Sequence, residues 1–156
     1  MLMIIEDQGN YWVAPTNKCD ADIDLLIKHP MGVPVADGFA LAPEGSLAYK
    51  DRPNSYGTFP RVLGRYVRER NILTWEEAVH KMTSLPASRL GLWDRGVLRE
   101  GLAADIVVFD PETVIEKADY SNPQEYPEGI PWVIVNGQTT VSPNGHTGAR
   151  AGKVLP

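Results

Sequence analysis

Apolar residues recur along the 156-residue chain in two rhythms. Between Asp20 and Leu92 most fall at helical spacing; from Gly96 onward they gather into short β-type runs set off by Gly, Asn and Pro. "DADIDLLIKHP" predicts a short helix. Asp20 or Asp22 is its cap, Ile23, Leu26 and Ile27 form its apolar face, Lys28 and His29 sit at its carbonyl end, and Pro30 stops it. "VPVADG", residues 33–38, then reads as a short buried strand, and helix followed by buried strand is the rhythm of a parallel α/β sheet. "TFPRVLGRYVRERN" predicts a helix with Thr58 as N-cap and apolar pairs Val62/Tyr66 and Leu63/Val67. "TWEEAVHKMTSL" predicts another, with Thr74 and Glu77 as a capping box and Ala78, Val79 and Met82 as its buried stripe. "PASRLGL" is a third, with Pro86 in its first turn and Gly91 just past its end.

The change of rhythm places a boundary near Asp94 to Gly96, dividing the chain into 1–95 and 96–156. The second part predicts β-rich runs in "GVLREGLAADIVVFDP", "PWVIVNGQTTVS" and "GKVLP", with Asn136-Gly137 as a type I′ hairpin turn. At the other end, "MLMIIED" and "YWVAP" read as two short strands turned by "QGN".

Composition narrows the classes. The chain is 43% hydrophobic and 22% charged, as globular proteins are, and carries a net charge of −5 with no basic cluster. That argues against nucleic acid as a partner. No apolar run approaches the roughly 20 residues that span a bilayer, and the first residues lack the basic region and long apolar core of a signal peptide. One cysteine, Cys19, permits no internal disulfide and fits a reducing, cytoplasmic setting. The 14 glycines and 13 prolines are dispersed, so they punctuate turns.

The chemistry centres on Asp37. An Asp-Gly at the end of an apolar run either opens a turn or is held out to move a proton. The turn-rich loop that follows, "APEGSLAYKDRPNSYG", is of a length that often carries function. The three histidines, His29, His80 and His146, are unpaired and read as solvated. One carboxylate cannot build a three- or four-ligand metal site.

Four stretches, "SYGTFPRVLGRYVRE", "AVHKMTSLPASRLGL", "DRGVLREGLAADIVVFDP" and "VIVNGQ", closely resemble the C-terminal part of N-acyl-D-amino-acid deacylases, or D-aminoacylases, of the amidohydrolase superfamily. The likeness is collinear from about Asp20 to Pro156. It implies an α/β fold: the C-terminal portion of a metal-dependent-hydrolase (β/α)8 barrel plus the C-terminal share of a small β-sandwich. Residues 1–95 would hold the last barrel strand, Val33 to Asp37, and the closing helices; residues 96–156 would be the sandwich segment. Active sites of such barrels lie at the C-terminal ends of the strands. The resemblance therefore implies that Asp37 is the general acid/base of an amide hydrolysis, with Arg52, Asn54 and Tyr56 in substrate-binding positions. The family is zinc-dependent, and this chain by itself is expected to bind no metal.

Two departures from the family pattern stand out. Ala36 replaces the usual serine before the aspartate, and Arg52-Pro53-Asn54 stands where the family has "HPR", whose arginine suits a substrate carboxylate. The expected function is that of a C-terminal segment of a metal-dependent amidohydrolase removing N-acyl groups from D-amino acids, incomplete as an enzyme alone. Its partner would be a chain supplying the rest of the barrel, or a second copy. The alternative is a non-catalytic interaction or structural module derived from such a tail. The first is favoured by a reading frame immediately upstream that carries His-x-His, the second by its absence.

Overall fold

The structure, a computed structural model, describes residues 19–42, 44–48 and 52–155. The two strands predicted near the start lie outside these residues.

Helix α1 runs from Asp20 to Lys28. The cap position is Cys19, in extended conformation, and its thiol donates to the Asp22 carboxylate at 3.1 Å. Asp20 and Asp22, expected as caps, lie inside the first turn, where carboxylates favour the positive end of the helix dipole. Ile23 and Ile27 are half-buried and Leu26 is exposed, so the apolar face is narrower than predicted. Residues 33–38 form no strand and join no ladder among the described residues. A strand is defined by the strand it bonds to, and no described strand pairs with this segment.

Helix α2, Asn54–Arg61, starts before the expected cap. Thr58 is interior, and its hydroxyl donates to the Asn54 carbonyl at 2.9 Å. Beyond Pro60, which contributes no N–H, the backbone widens into a π-helical run, Val62–Glu69. The predicted pairs hold: Val62, Leu63, Tyr66 and Val67 are all buried. Helix α3, Trp75–Met82, has both halves of its capping box. Its buried face differs in one position from the prediction. Val79 is exposed, and Lys81 is buried instead because its ammonium reaches the His29 and Gly32 carbonyls. Helix α4, Ser84–Arg89, closes with a Schellman motif: Leu92 N–H bonds the Ala87 carbonyl, Gly91 N–H bonds that of Ser88, and Gly91 takes φ +72°.

The β part is an antiparallel meander of β1 (Ile106–Val108), β2 (Trp132–Val135), β3 (Gln138–Ser142) and β4 (Gly145–His146). The β2–β3 turn has Asn136 at φ 47° and Gly137 at φ 78°, the two positive angles of type I′. One step later the register slips. Val133 faces Val141 and Ile134 faces Thr139, so Thr140 is an extra residue, and its hydroxyl donates to the Val133 carbonyl at 3.0 Å. Of "GKVLP", the described residues 152–155 form no strand; Val154 is fully exposed and pairs with nothing described.

Arg95 gathers the turn chemistry of this region. It bonds the carboxylates of Asp94 and Asp105, which raise its pKa further, chiefly through the Asp94 hydrogen bond. Asp105 in turn accepts from the Asn136 N–H at 2.8 Å. The motifs "DRG", "AD" and "VNG" are therefore one hydrogen-bonded unit.

The buried core is Val62, Leu63, Val67, Leu73, Ala78 and Val114, with Ile27, Trp75, Phe109 and Ile130 packed on it. Val114 comes from beyond Gly96, and Gly64 makes room for its segment. A Cβ at Gly64 would sit 2.6 Å from the Val114 carbonyl oxygen. Arg68 donates to that same oxygen at 2.7 Å, and Arg61 pairs with Glu116 at 2.6 Å.

Candidate functional site

Asp37 sits at φ 45°, in the left-handed region, with its side chain 84% exposed. Aspartate tolerates this conformation better than most residues but still bears a cost. Neighbouring Gly38 lies flat against the start of α2, where a Cβ would be 2.8 Å from Ser55 Cα. The chain before α2 folds back over this peptide. Arg52 Nη2 lies 3.4 Å from Asp37 Oδ2 and 3.3 Å from the Asp37 carbonyl oxygen. Asn54 Nδ2 donates to the carbonyls of Ala36 and of Asp37, the latter at 3.0 Å. Phe39 N–H donates to Ser55 Oγ at 3.2 Å. Three of the four residues singled out in the sequence thus meet around one peptide.

Tyr56 follows in the same first turn of α2. Its ring meets Tyr126 edge to face, with centroids 5.4 Å apart. Its hydroxyl is buried and has no hydrogen-bond partner among the described residues. Burial, and secondarily Tyr126, push its pKa above the usual phenol value. The Asn54 Oδ1 atom is likewise buried without a described partner.

Sequence reasoning missed Ser55 and Tyr126. Ser55 lies within the quoted "NSYG" motif, but a serine there has no distinguishing pattern. Tyr126 comes from a turn-rich stretch 70 positions further on, and nothing local ties it to Tyr56.

The assembled groups, a carboxylate, a guanidinium, an amide and a phenol, suit proton transfer and anion binding. They do not fit a metal ion. Among the described residues no three His, Cys, Asp or Glu side chains come together as a metal site. The Asp37 carboxylate faces Arg52. Each histidine is exposed and engaged locally: His29 with Met31 N–H, His80 with Ser84, His146 with Gly148 N–H.

Comparison with known proteins gives a consistent result. Residues 47–141 match the profile described as "Amidohydrolase family". The chain is 41% identical to the N-acyl-D-aspartate deacylase of Alcaligenes xylosoxydans xylosoxydans over 136 residues, 86% of this chain and 26% of that protein. It is 44% identical to the D-aminoacylase of the same organism over 123 residues, 78% of this chain and 25% of that one. The solved N-acyl-D-glutamate deacylase of Bordetella bronchiseptica, complexed with zinc and a phosphonate inhibitor, superposes with a TM-score of 0.77 at 39% identity. That match covers 88% of this chain and 27% of the other. The chain therefore spans about a quarter of the length of the relatives it matches.

Proposed function

This chain belongs to the amidohydrolase family, and from that premise we propose that it forms the C-terminal part of a deacylase hydrolysing the amide of N-acyl-D-amino acids. The observation that carries the reading is the convergence of Arg52 and Asn54 on Asp37, 15 and 17 residues away. Asp37 is the proton-transfer group. It takes a proton from the attacking water and returns it to the amide nitrogen as the C–N bond breaks, leaving a carboxylic acid and a free amine. Its exposed carboxylate is open to a substrate. Arg52 is the cation beside it. In an N-acyl amino acid the scissile nitrogen and the carboxylate are separated by one carbon, so a group binding the carboxylate belongs next to the one serving the nitrogen. Tyr56, with Tyr126, walls the far side.

Zinc is the metal in the solved relative. The described residues do not fit it, so Asp37 is assigned the proton transfer alone and polarisation of the water by a metal is assigned to none of them. The remaining barrel, on a partner chain or in continuation with this one, completes the site. It also covers the exposed apolar residues Leu25, Met31, Val35 and Phe39. Cytoplasmic residence agrees with the exposed free thiol of Cys19, and no described helix is long and apolar enough to cross a membrane.

The test pairs zinc analysis with deacylation of N-acetyl-D-amino acids, by the chain alone and mixed with the barrel portion of a family deacylase. The expected result is turnover in the mixture and neither zinc nor turnover with the chain alone. Zinc binding and turnover by the chain alone would overturn the shared site. Stable association without turnover would favour the second reading, an interaction module, for which the exposed apolar residues are the supporting observation.

A further inference from the structure

Asn54 was expected to bind substrate. Its surroundings give it a different task, and we infer that Asn54 is the positioning residue that fixes the main chain of Asp37. The inference rests on the reading of Asp37 as the proton-transfer group.

Two carbonyl oxygens, those of Ala36 and Asp37, converge on one side of the Asn54 amide. Carbonyls only accept, so the –NH2 group must face them, which settles the orientation of the side chain. Both described contacts of Nδ2 are thus made to main chain. The other end, Oδ1, is buried and offers only an acceptor. An asparagine so placed cannot also donate to a substrate carboxylate. What it does is bracket the peptide after Ala36. Asp37 there adopts φ 45°, which an L-residue does not choose unaided. Ser55 receives the Phe39 N–H from the next residue of the same helix, and Gly38 lets the two segments close to contact. The first turn of α2 is therefore a clamp around residues 36–39, and the direction of the Asp37 carboxylate is set by that clamp.

The isosteric Asn54→Asp substitution replaces the donor with a carboxylate facing two carbonyls; Asn54→Gln keeps a donor on a longer stem. In the 13C,15N-labelled 156-residue chain, Asn54→Asp is expected to move the Asp37, Gly38 and Phe39 resonances and leave those of β1 to β4 in place. Asn54→Gln is expected to restore them in part. In the chain completed by a deacylase barrel, Asn54→Asp lowers kcat by roughly a hundredfold at unchanged KM, the cost of a misplaced proton-transfer group. Unmoved Asp37 to Phe39 resonances, or a raised KM at unchanged kcat, would overturn the inference. A wild-type chain with no deacylase activity when completed would strike at the proposed function and leave the resonance comparison intact.

Discussion

The left-handed backbone of Asp37 has a consequence for stability that runs opposite to its consequence for function. Glycine adopts φ 45° freely, so Asp37→Gly is expected to stabilise the chain by about 1 kcal/mol. A urea titration measures this. The same variant, in a chain completed by a barrel, loses deacylation. Equal or lower stability would mean that the conformation is not strained in solution. Tyr56 gives a prediction in pH. Its folded pKa is raised above 10.0, so the unfolded chain ionises first and the stabilisation from the neutral phenol is lost as pH rises from about 10 upward. Alkaline unfolding should therefore be steeper in the wild type than in Tyr56→Phe. Near neutral pH Tyr56→Phe should be at least as stable as the wild type, because the buried hydroxyl has no described partner to lose. At this scale Asp37, Arg52 and Asn54 were legible as candidates through family resemblance. Their relations were not. That Asn54 faces two carbonyls, or that Tyr126 abuts Tyr56, depends on contacts 17 to 70 residues apart, and no local pattern encodes them.

Elements follow local chemistry where local chemistry is strong. The Thr74/Glu77 capping box, the Gly91 helix end and the Asn136-Gly137 turn all appear as the sequence predicts, because each is decided by dihedral preference and hydrogen bonds within a few residues. The exceptions are elements whose state is set by a neighbour. Residues 33–38 have the composition of a strand and pair with no strand among the described residues. The helix after Pro60 widens into π geometry while packing Gly64 against Val114. Two glycines separate backbone preference from crowding. Gly137 and Gly129 have nearly the same φ, 78° and 75°. A Cβ on Gly137 meets nothing within 4 Å, whereas on Gly129 it would lie 2.4 Å from Val114 N. Gly137→Ala should cost about 1 kcal/mol, the conformational part alone. Gly129→Ala should cost about 3 kcal/mol or more, since backbone must move. Chemical denaturation of both variants measures the difference; equal losses would rule out the close approach.

At the scale of the molecule, the described residues bury little for their number. Among the described residues only Val114 is a large side chain with essentially no exposure, while Leu25, Leu26, Met31, Val35 and Phe39 are more than half exposed within one stretch of chain. A chain with such a surface is expected to bind an apolar fluorescent dye and to associate, by light scattering. Phe39→Glu with Leu25→Glu should reduce both; a monomer that binds no dye would show the stretch to be covered already. The proposed boundary near residue 95 marks a change of texture along the sequence. In space the seam is closed by Val114, which enters the helical cluster from the later part of the chain, and by Arg68, which holds its carbonyl from 46 positions earlier. This crossing sets an order of events during synthesis. Helices α2 to α4 leave the ribosome well before Val114 and the Gly129 turn that backs it. Until those residues emerge, Val62, Leu63 and Val67 have no partner on that side. The helical region therefore cannot settle domain-first as it is made; it must wait, collapsed but open, for the translation of residues that belong to the β-rich segment.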